Sequence, residues 1–453
     1  MARAVAGVSA PAGMARHSDL VAFTQGGLQL VRLRCRVNPV SDVGRWRDAG
    51  ATHFVLQLLS PSPARRPTTP EVFVDEFAGD IERFLTTGVN VLEIHDEPNR
   101  VDRGLTVSWQ DGAAFAAWFD DVVRCLHRRY GYELRIGFPA LYDRERPHPD
   151  AGVMDTRAVA HDHAGFLRRC EPALESADWA GVHLYWRVPE ELRAPKGALS
   201  FLHAYLDRYP ACDVLVTEFA NVSPEVSPQE RGRQYVELLT LLAQYERVLG
   251  ACGFPLRSSD PRHRFMEWVA AGDAAQGVVH GLAERPGLPD RATMRFTWPT
   301  TSRHYVRVFG QDQQGFCHDY GIAGGHNGVD LGVADTSSGR SPVVAALDGT
   351  VTQVALDEDG YGGHVRIRSY GPDHEEITLL YAHLVDIEVA VGMLVSQGDL
   401  LGHVTVAEGL PSPHLHLGMR VTGLHLPATR DWINPRPYLE GYIGCHSEPP
   451  QVK

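Results

Sequence analysis

Apolar positions in the first 285 residues gather into short runs set apart by segments of a different rhythm. LVAFT (20–24), LVRLRCRV (30–37), THFVLQLL (52–59), VNVLEIH (89–95), LRIGFPA (134–140), GVHLYW (181–186), DVLVTEF (213–219) and LGACGFPL (249–256) read as strands. Each is short and rich in β-branched or aromatic residues. Between them, FAGDIERFLTTG and AAFAAWFDDVVRCLHRRYG place apolar residues three and four apart, which is helical spacing. Eight strands alternating with helices predict a (β/α)8 barrel. A doubly wound open sheet is the alternative, but no glycine-rich phosphate turn follows the first strand. RHRFMEWVAAGDAAQGVVHGLAER is expected to be the helix that closes the barrel.

The rhythm changes after RPGLPDRATM (285–294), a Pro- and Gly-containing stretch without periodicity that reads as a linker. Beyond it lie SPVVAALDGTVTQVALDEDGYGGHVRIRSYG, EEITLLYAHL and GMLVSQGDLLGHV, short strand-like runs broken by Gly, Pro and Asp. The predicted organisation is α/β barrel (1–284), linker (285–294) and a mostly β domain (295–453).

At 453 residues the chain is long enough for two such domains. A formal net charge of -13 argues against nucleic acid as the main partner, since phosphate binding needs a cationic surface. The seven cysteines form no C-x-x-C pair, so a cysteine-built structural zinc site is not expected, and Cys317 with Cys445 is the candidate disulfide. The first twenty residues lack the apolar run of a secretory signal, and no stretch is long enough to span a membrane. The expectation is synthesis in the cytoplasm, with any role outside it requiring export or release.

Candidate chemistry in the second domain starts from histidines. In PSPHLHLGM, His414 and His416 share one face of a strand because side chains alternate with period two. In HNGVD, the Asn327-Gly328 turn dipeptide can bend the chain so that His326 and Asp330 converge. One of the HLH histidines would complete a three-ligand metal site with an open position. The other, with His383 of YAHL, is left for proton transfer or for stabilising an oxyanion.

In order along the chain, HNGVDLGV, SPVVAALDGTVTQV, GYGGHVRI, LLYAHL, VGMLVSQGDLLGHV, SPHLHLGM and INPRPYL resemble the lysostaphin-type zinc metallopeptidases, which cut peptide bonds in peptidoglycan. The resemblance spans about residues 297–440. It implies a compact antiparallel β fold related to the duplicated hybrid motif. It assigns zinc to His326, Asp330 and His416, and makes His383 and His414 the catalytic pair. The sequence departs from that pattern at His364, Leu417 and His403, none of them a ligand position.

In the first domain, EIHDEPNR ends the fourth expected strand at Glu97, and VLVTEFAN ends the seventh at Glu218, with LVAFT counted as the first. Catalytic groups of such barrels sit at the C-terminal strand ends. Two carboxyls about 5 Å apart would suit a retaining glycoside hydrolase. This half resembles the retaining (β/α)8 glycoside hydrolases, which implies Glu97 as acid/base, Glu218 as nucleophile, and His183 and Tyr185 turned toward the sugar. Asp96 stands where those enzymes carry Asn. A carboxylate beside Glu97 is expected to raise its proton affinity, or to select a sugar with a donor at its 2-position. The overall expectation is a peptidoglycan hydrolase, its barrel either cutting the glycan or only holding it; the remaining alternative makes the barrel the only enzyme and the second domain a scaffold.

Overall fold

Eight parallel strands close on themselves in the computed structural model of the protein. They are β1 (Val5–Ser9), β2 (Leu30–Arg34), β3 (His53–Leu58), β4 (Val91–Ile94), β5 (Arg135–Phe138), β6 (Trp179–Trp186), β7 (Asp213–Asn221) and β8 (Val248–Gly253), with β8 pairing back onto β1. The structure describes residues 5–60, 67–143, 145–149, 162–193, 197–245, 247–269, 277–283, 294–312, 315–316, 322, 324–333, 339–356, 360–372, 374–405, 413–424, 426 and 429–440. The chain divides into two compact units, Ala2–Arg285 and Pro286–Lys453. The expected linker and both Cys317 and Cys445 fall largely or wholly outside the described residues.

One strand assignment needs correction. LVAFT lies in the helix His17–Gln25, not in a strand. The Asp19 carboxylate accepts the Arg16 backbone N–H at 2.8 Å, capping the first turn. Ser18, Asp19, Ala22 and Phe23 are the buried positions, which is the three-to-four spacing of one helical face. The true first strand is VAGVS, whose central glycine lets the neighbouring strand come close. A Cβ at Gly7 would stand 2.2 Å from the Leu30 carbonyl oxygen. Only the count of strands survives the exchange, so Glu97 still follows the fourth strand and Glu218 lies on the seventh. The expected closing helix is a 3-10 turn, Pro261–Met266, and a helix, Gly277–Ala283, with 270–276 outside the described residues.

Inside the barrel the side chains form layers. Val5, Leu30, Val55, Val91, Trp179, Leu215 and Cys252 pack together as an apolar plug. Two residues further along β2 the inward position is Arg32, and two further it is Arg34. The barrel thus turns polar toward the C-terminal ends of its strands.

In the second unit, β9 (Tyr305–Arg307), β10 (Val329–Gly332), β11 (Arg340–Val344), β12 (Gly349–Ala355), β13 (His364–Tyr370), β14 (Glu376–Ala382), β15 (Leu394–Val395), β16 (Leu400–Thr405), β17 (His414–Val421) and β18 (Trp432–Ile433) build antiparallel sheets. The main sheet runs β15-β12-β13-β14-β17-β10-β9, with β18 on β17, while β11 pairs β16 separately. Leu415, Leu417 and Met419 on one face of β17 are wholly buried. Alternation sends His414 and His416 to the other face. Among the described residues no helix is long and apolar enough to cross a membrane.

Gly137 on β5 makes room for the indole of Trp179, since a Cβ there would lie 2.1 Å from two ring carbons. Gly137→Ala should therefore overpack the plug by about 1–3 kcal/mol. Differential scanning calorimetry should show the barrel transition lowered by about 2–10 °C, and an unchanged midpoint would refute this account of the packing.

Candidate functional site

Strand register assembles the first site. Asp330 on β10 is paired with His416 on β17, and Gly332 with His414. His326 arrives from outside the strand, where the chain bends at Asn327-Gly328. That bend must run close to β17: a Cβ at Gly328 would fall 2.8–2.9 Å from the His416 ring and 2.4 Å from the Leu417 carbonyl oxygen. Ala382 at the end of β14 pairs with His416 from the opposite side, so His383 is the next residue out. It turns away from the strand with φ 65°. Its backbone N–H donates to the Tyr361 carbonyl at 2.9 Å, and that of Leu384 donates to Gly363 at 2.7 Å. The glycine-rich hairpin therefore fixes where His383 stands.

Three ligand atoms form a near-equilateral triangle. His326 Nε2 lies 2.9 Å from His416 Nδ1 and 3.1 Å from Asp330 Oδ1, and His416 Nδ1 lies 3.1 Å from the same oxygen. Ligands of a tetrahedral zinc at about 2.0–2.1 Å are separated by roughly 3.3 Å, so the set fits that ion with little adjustment. His326 Nδ1 lies 3.1 Å from the Val308 carbonyl, the outer contact that leaves Nε2 free to ligate. Burial pushes His416 down to about 4, keeping it a neutral imidazole. Burial pushes Asp330 up, but hydrogen bonds with His326 and His416 overcome it and hold the carboxyl well below its usual range. Neutral imidazole and ionised carboxylate are the forms a metal requires.

His383 and His414 stand beside this triangle. Their ring centroids are 4.9 Å apart, and that of His383 is 6.3 Å from His416. His414 Nε2 is 3.6 Å from Asp330 Oδ2. Burial, then the neighbouring His414, lowers the proton affinity of His383. Tyr361 and Asn327 were not foreseen here. Asn327 Nδ2 donates to the Tyr361 hydroxyl at 2.7 Å, and the Tyr361 ring centroid lies 5.6 Å from that of His416. A lone aromatic among the glycines of GYGG was the available signal.

The barrel carries a second cluster, in a cavity of about 280 Å³ whose lining includes Arg32, Arg34, Asp96, Glu97, His183 and Glu218. Arg32, 2% exposed, bridges Glu93 at 2.6 Å and Glu218 at 2.8 Å. The Tyr185 hydroxyl also donates to Glu218. Glu97 Oε1 receives His148 at 3.0 Å and His183 at 3.2 Å, while Arg100 holds its other oxygen. The β4 end is pinned to the segment after β5 by Asn99, which donates to the Tyr142 carbonyl at 2.7 Å and accepts its N–H at 2.9 Å. Asp96 lies 3.5 Å from Arg103 and 3.9 Å from His183.

These contacts correct one expectation. Asp96 does not leave Glu97 with a raised proton affinity. Burial pushes Glu97 up, but His148 and His183 prevail and hold it well below the usual carboxylate range. The raised carboxyl is Asp96 itself, through burial and, despite Arg103, the neighbouring Glu97. Burial likewise opposes ionisation of Glu218, yet His183 and Arg32 keep its affinity low. His183 pays for burial but gains more from Glu218 and Glu97, and rises to about 9. So all five barrel residues named from sequence meet in one cavity or its wall, as do all five of the second unit. Arg32, Arg34, Arg100, Arg103 and His148 were missed. Arginines alternating with apolar residues in LVRLR were a readable sign, because a buried strand seldom carries inward charge.

Residues 324–428 match Peptidase family M23, so the second unit carries a domain of that family. Over 101 residues the chain is 35% identical to an uncharacterized metalloprotease of Haemophilus influenzae, a match taking in 22% of this chain and 19% of that protein. The chain thus spans about a fifth of that relative's length. A GH128 (subgroup II) endo-beta-1,3-glucanase from Sorangium cellulosum shares 17% identity at a TM-score of 0.47, covering 62% of this chain and 98% of that one. The antimicrobial peptidase lysostaphin from Staphylococcus simulans shares 19% identity at a TM-score of 0.24, covering 36% of this chain and 60% of that one.

Two measurements test these sites. His416→Ala should lose most bound zinc by elemental analysis, whereas His383→Ala and His414→Ala should keep it and lose about 10²- to 10⁴-fold in peptide turnover. Full zinc in the first variant, or its loss in the others, would redraw the ligand set. In the barrel, His183 has a folded affinity above the ordinary histidine value, so its stabilising charge is complete below about pH 6.5 and lost as pH rises through about 9. The barrel melting midpoint should fall across that window, and less so in His183→Gln. Identical alkaline profiles would disprove the pairing.

Proposed function

We propose that this protein is a cell-wall hydrolase: a zinc endopeptidase that cuts peptide bonds in peptidoglycan stems or cross-bridges, joined to a barrel that acts on glycan. The observation that carries the reading is the triangle of His326, Asp330 and His416, with two more histidines on its open side. The family M23 match over the residues that contain all five supports it.

The chemistry that zinc supplies when bound is Lewis-acid polarisation of the scissile carbonyl and acidification of water. His326, Asp330 and His416 hold it. His383, kept neutral by burial, takes a proton from the attacking water. His414, with 27% of its side chain exposed and next to Asp330, donates a hydrogen bond toward the developing oxyanion, and the proton taken up by His383 passes to the leaving amine. The substrate lies along the rim that Tyr361 and Arg307 share with the histidines.

In the barrel, Glu218 is the nucleophile of a retaining glycosidase, held ionised by His183 and Arg32 and oriented by Tyr185. Glu97 is its acid/base partner, with Asp96, His183 and Tyr185 around the sugar. A second reading has its own support. A general acid must enter the reaction protonated, and Glu97 is gripped by Arg100, His148 and His183 in its ionised form. On that reading the barrel holds glycan without cutting it and delivers the peptidase.

Mass spectrometry of fragments from purified peptidoglycan decides between them. The wild-type protein should generate new amino termini and new reducing ends, and Glu218→Gln should generate only the amino termini. Amino termini alone from both proteins would select the binding role for the barrel. Absence of new amino termini would refute the peptidase assignment.

A further inference from the structure

The cavity at the barrel mouth is lined by five arginines, and four of them are spoken for. Arg32 pairs with Glu93 and Glu218, Arg100 with Glu97 and Asp102, Arg103 with Asp96, and Arg257 with Asp19. Arg34 is different. Its backbone N–H donates to Asn38 at 2.8 Å, but its guanidinium makes no hydrogen bond or ion pair among the described residues. It faces inward on the same side of β2 as Arg32 and is half-buried in the cavity wall. The nearby carboxylates are engaged elsewhere: Glu218 by Arg32 and Tyr185, Asp96 by Arg103.

A cation in that position is costly. Burial, and then the proximity of Arg32, lowers the proton affinity of Arg34. Desolvation removes water from the guanidinium, and Glu218 and Asp96 attract it only from a distance, each already held by another partner. Other donors around the cavity are also unmet: Arg32 Nη2 and Arg103 Nε are buried without a hydrogen-bond partner. A neutral glycan offers hydroxyls, which would satisfy single N–H groups and leave Arg34 without a directly paired anion. A carboxylate offers two oxygens in a plane, the geometry that a guanidinium fork binds best. Asp96 Oδ1, buried and without a hydrogen bond, remains as an acceptor for a sugar hydroxyl beside it.

We propose that the barrel takes a carboxylated glycan, and that Arg34 is the specificity-determining residue that pairs with the carboxylate. This rests on the reading of the barrel as glycan-directed and goes beyond it in naming the substrate's charge. Two glycan types carry that chemistry: one whose sugars are uronic acids, and one whose sugars bear a free lactyl-ether carboxyl, as in peptide-free strands of peptidoglycan.

The test is titration calorimetry on the full-length, zinc-loaded Glu218→Gln protein, in which slow turnover does not consume the ligand. Four probes are used: tetragalacturonate, peptide-free peptidoglycan strands, and each of these with its carboxyls converted to amides. At least one acidic probe should bind about 10- to 100-fold more tightly than its amide. Adding Arg34→Met should erase that difference, and Arg34→Lys should restore part of it, as a charge contact and not a packing role demands. Which acidic probe wins identifies the source of the carboxylate. Equal binding of acid and amide, or an acid preference that survives Arg34→Met, overturns the inference while leaving the glycan reading intact. Failure of all four probes to bind overturns both.

Discussion

Side chains on a strand alternate, and that single geometric rule places most of the strand-borne reactive groups of this protein. On β2 it stacks Leu30, Arg32 and Arg34 on one inward line, so the same strand supplies the apolar plug, the bridge to Glu218 and the rim of the cavity. On β6 it aims His183 and Tyr185 together, at Glu97 and Glu218. On β17 it places His414 and His416 over the sheet while Leu415 and Leu417 seal the core beneath. A shift of register by one residue on any of these strands would send its histidines or arginines into apolar packing.

The two sites handle charge in opposite ways. Around His326, Asp330 and His416 the ionised carboxylate lies between two imidazoles, of which His416 is kept neutral by burial, so the cluster presents electron pairs inward to a cation. The barrel instead neutralises charge within its own network: Glu93 and Glu218 share Arg32, and Glu97 is shared by Arg100 and two histidines. Buried pairs of this kind gain little net stability from attraction, but removing one partner strands the other and is strongly destabilising. The network is therefore better understood as fixing geometry than as holding the barrel together.

Most of this was legible where residues announce themselves by type and spacing. Short apolar runs identified seven barrel strands, and His-x-His and His-Asn-Gly-Val-Asp identified the groups that the sheet registers bring together. VAGVS was not legible as a strand because its fitness depends on the closeness of Leu30, a tertiary fact. LVAFT misled because a run of four apolar residues looks alike in strand and helix until the Asp19 cap is weighed. The proton affinity of Glu97 was out of reach for the same kind of reason. Asp96 is adjacent in sequence, whereas His148 and His183, which prevail, come from 51 and 86 residues away.

Two residues of these sites share an uncommon backbone. Glu97 and His383 have φ of 44° and 65°, the left-handed region that side chains with a Cβ occupy at a cost of about 1–2 kcal/mol each. Glycine would relax each position, so selection for thermal robustness alone would erode these corners and discard the very groups that make the sites reactive. The fold is least comfortable where it is most useful. A family of descendants drifting toward stability would be expected to lose activity first at the end of β4 and the end of β14, with both barrel and sheet still intact.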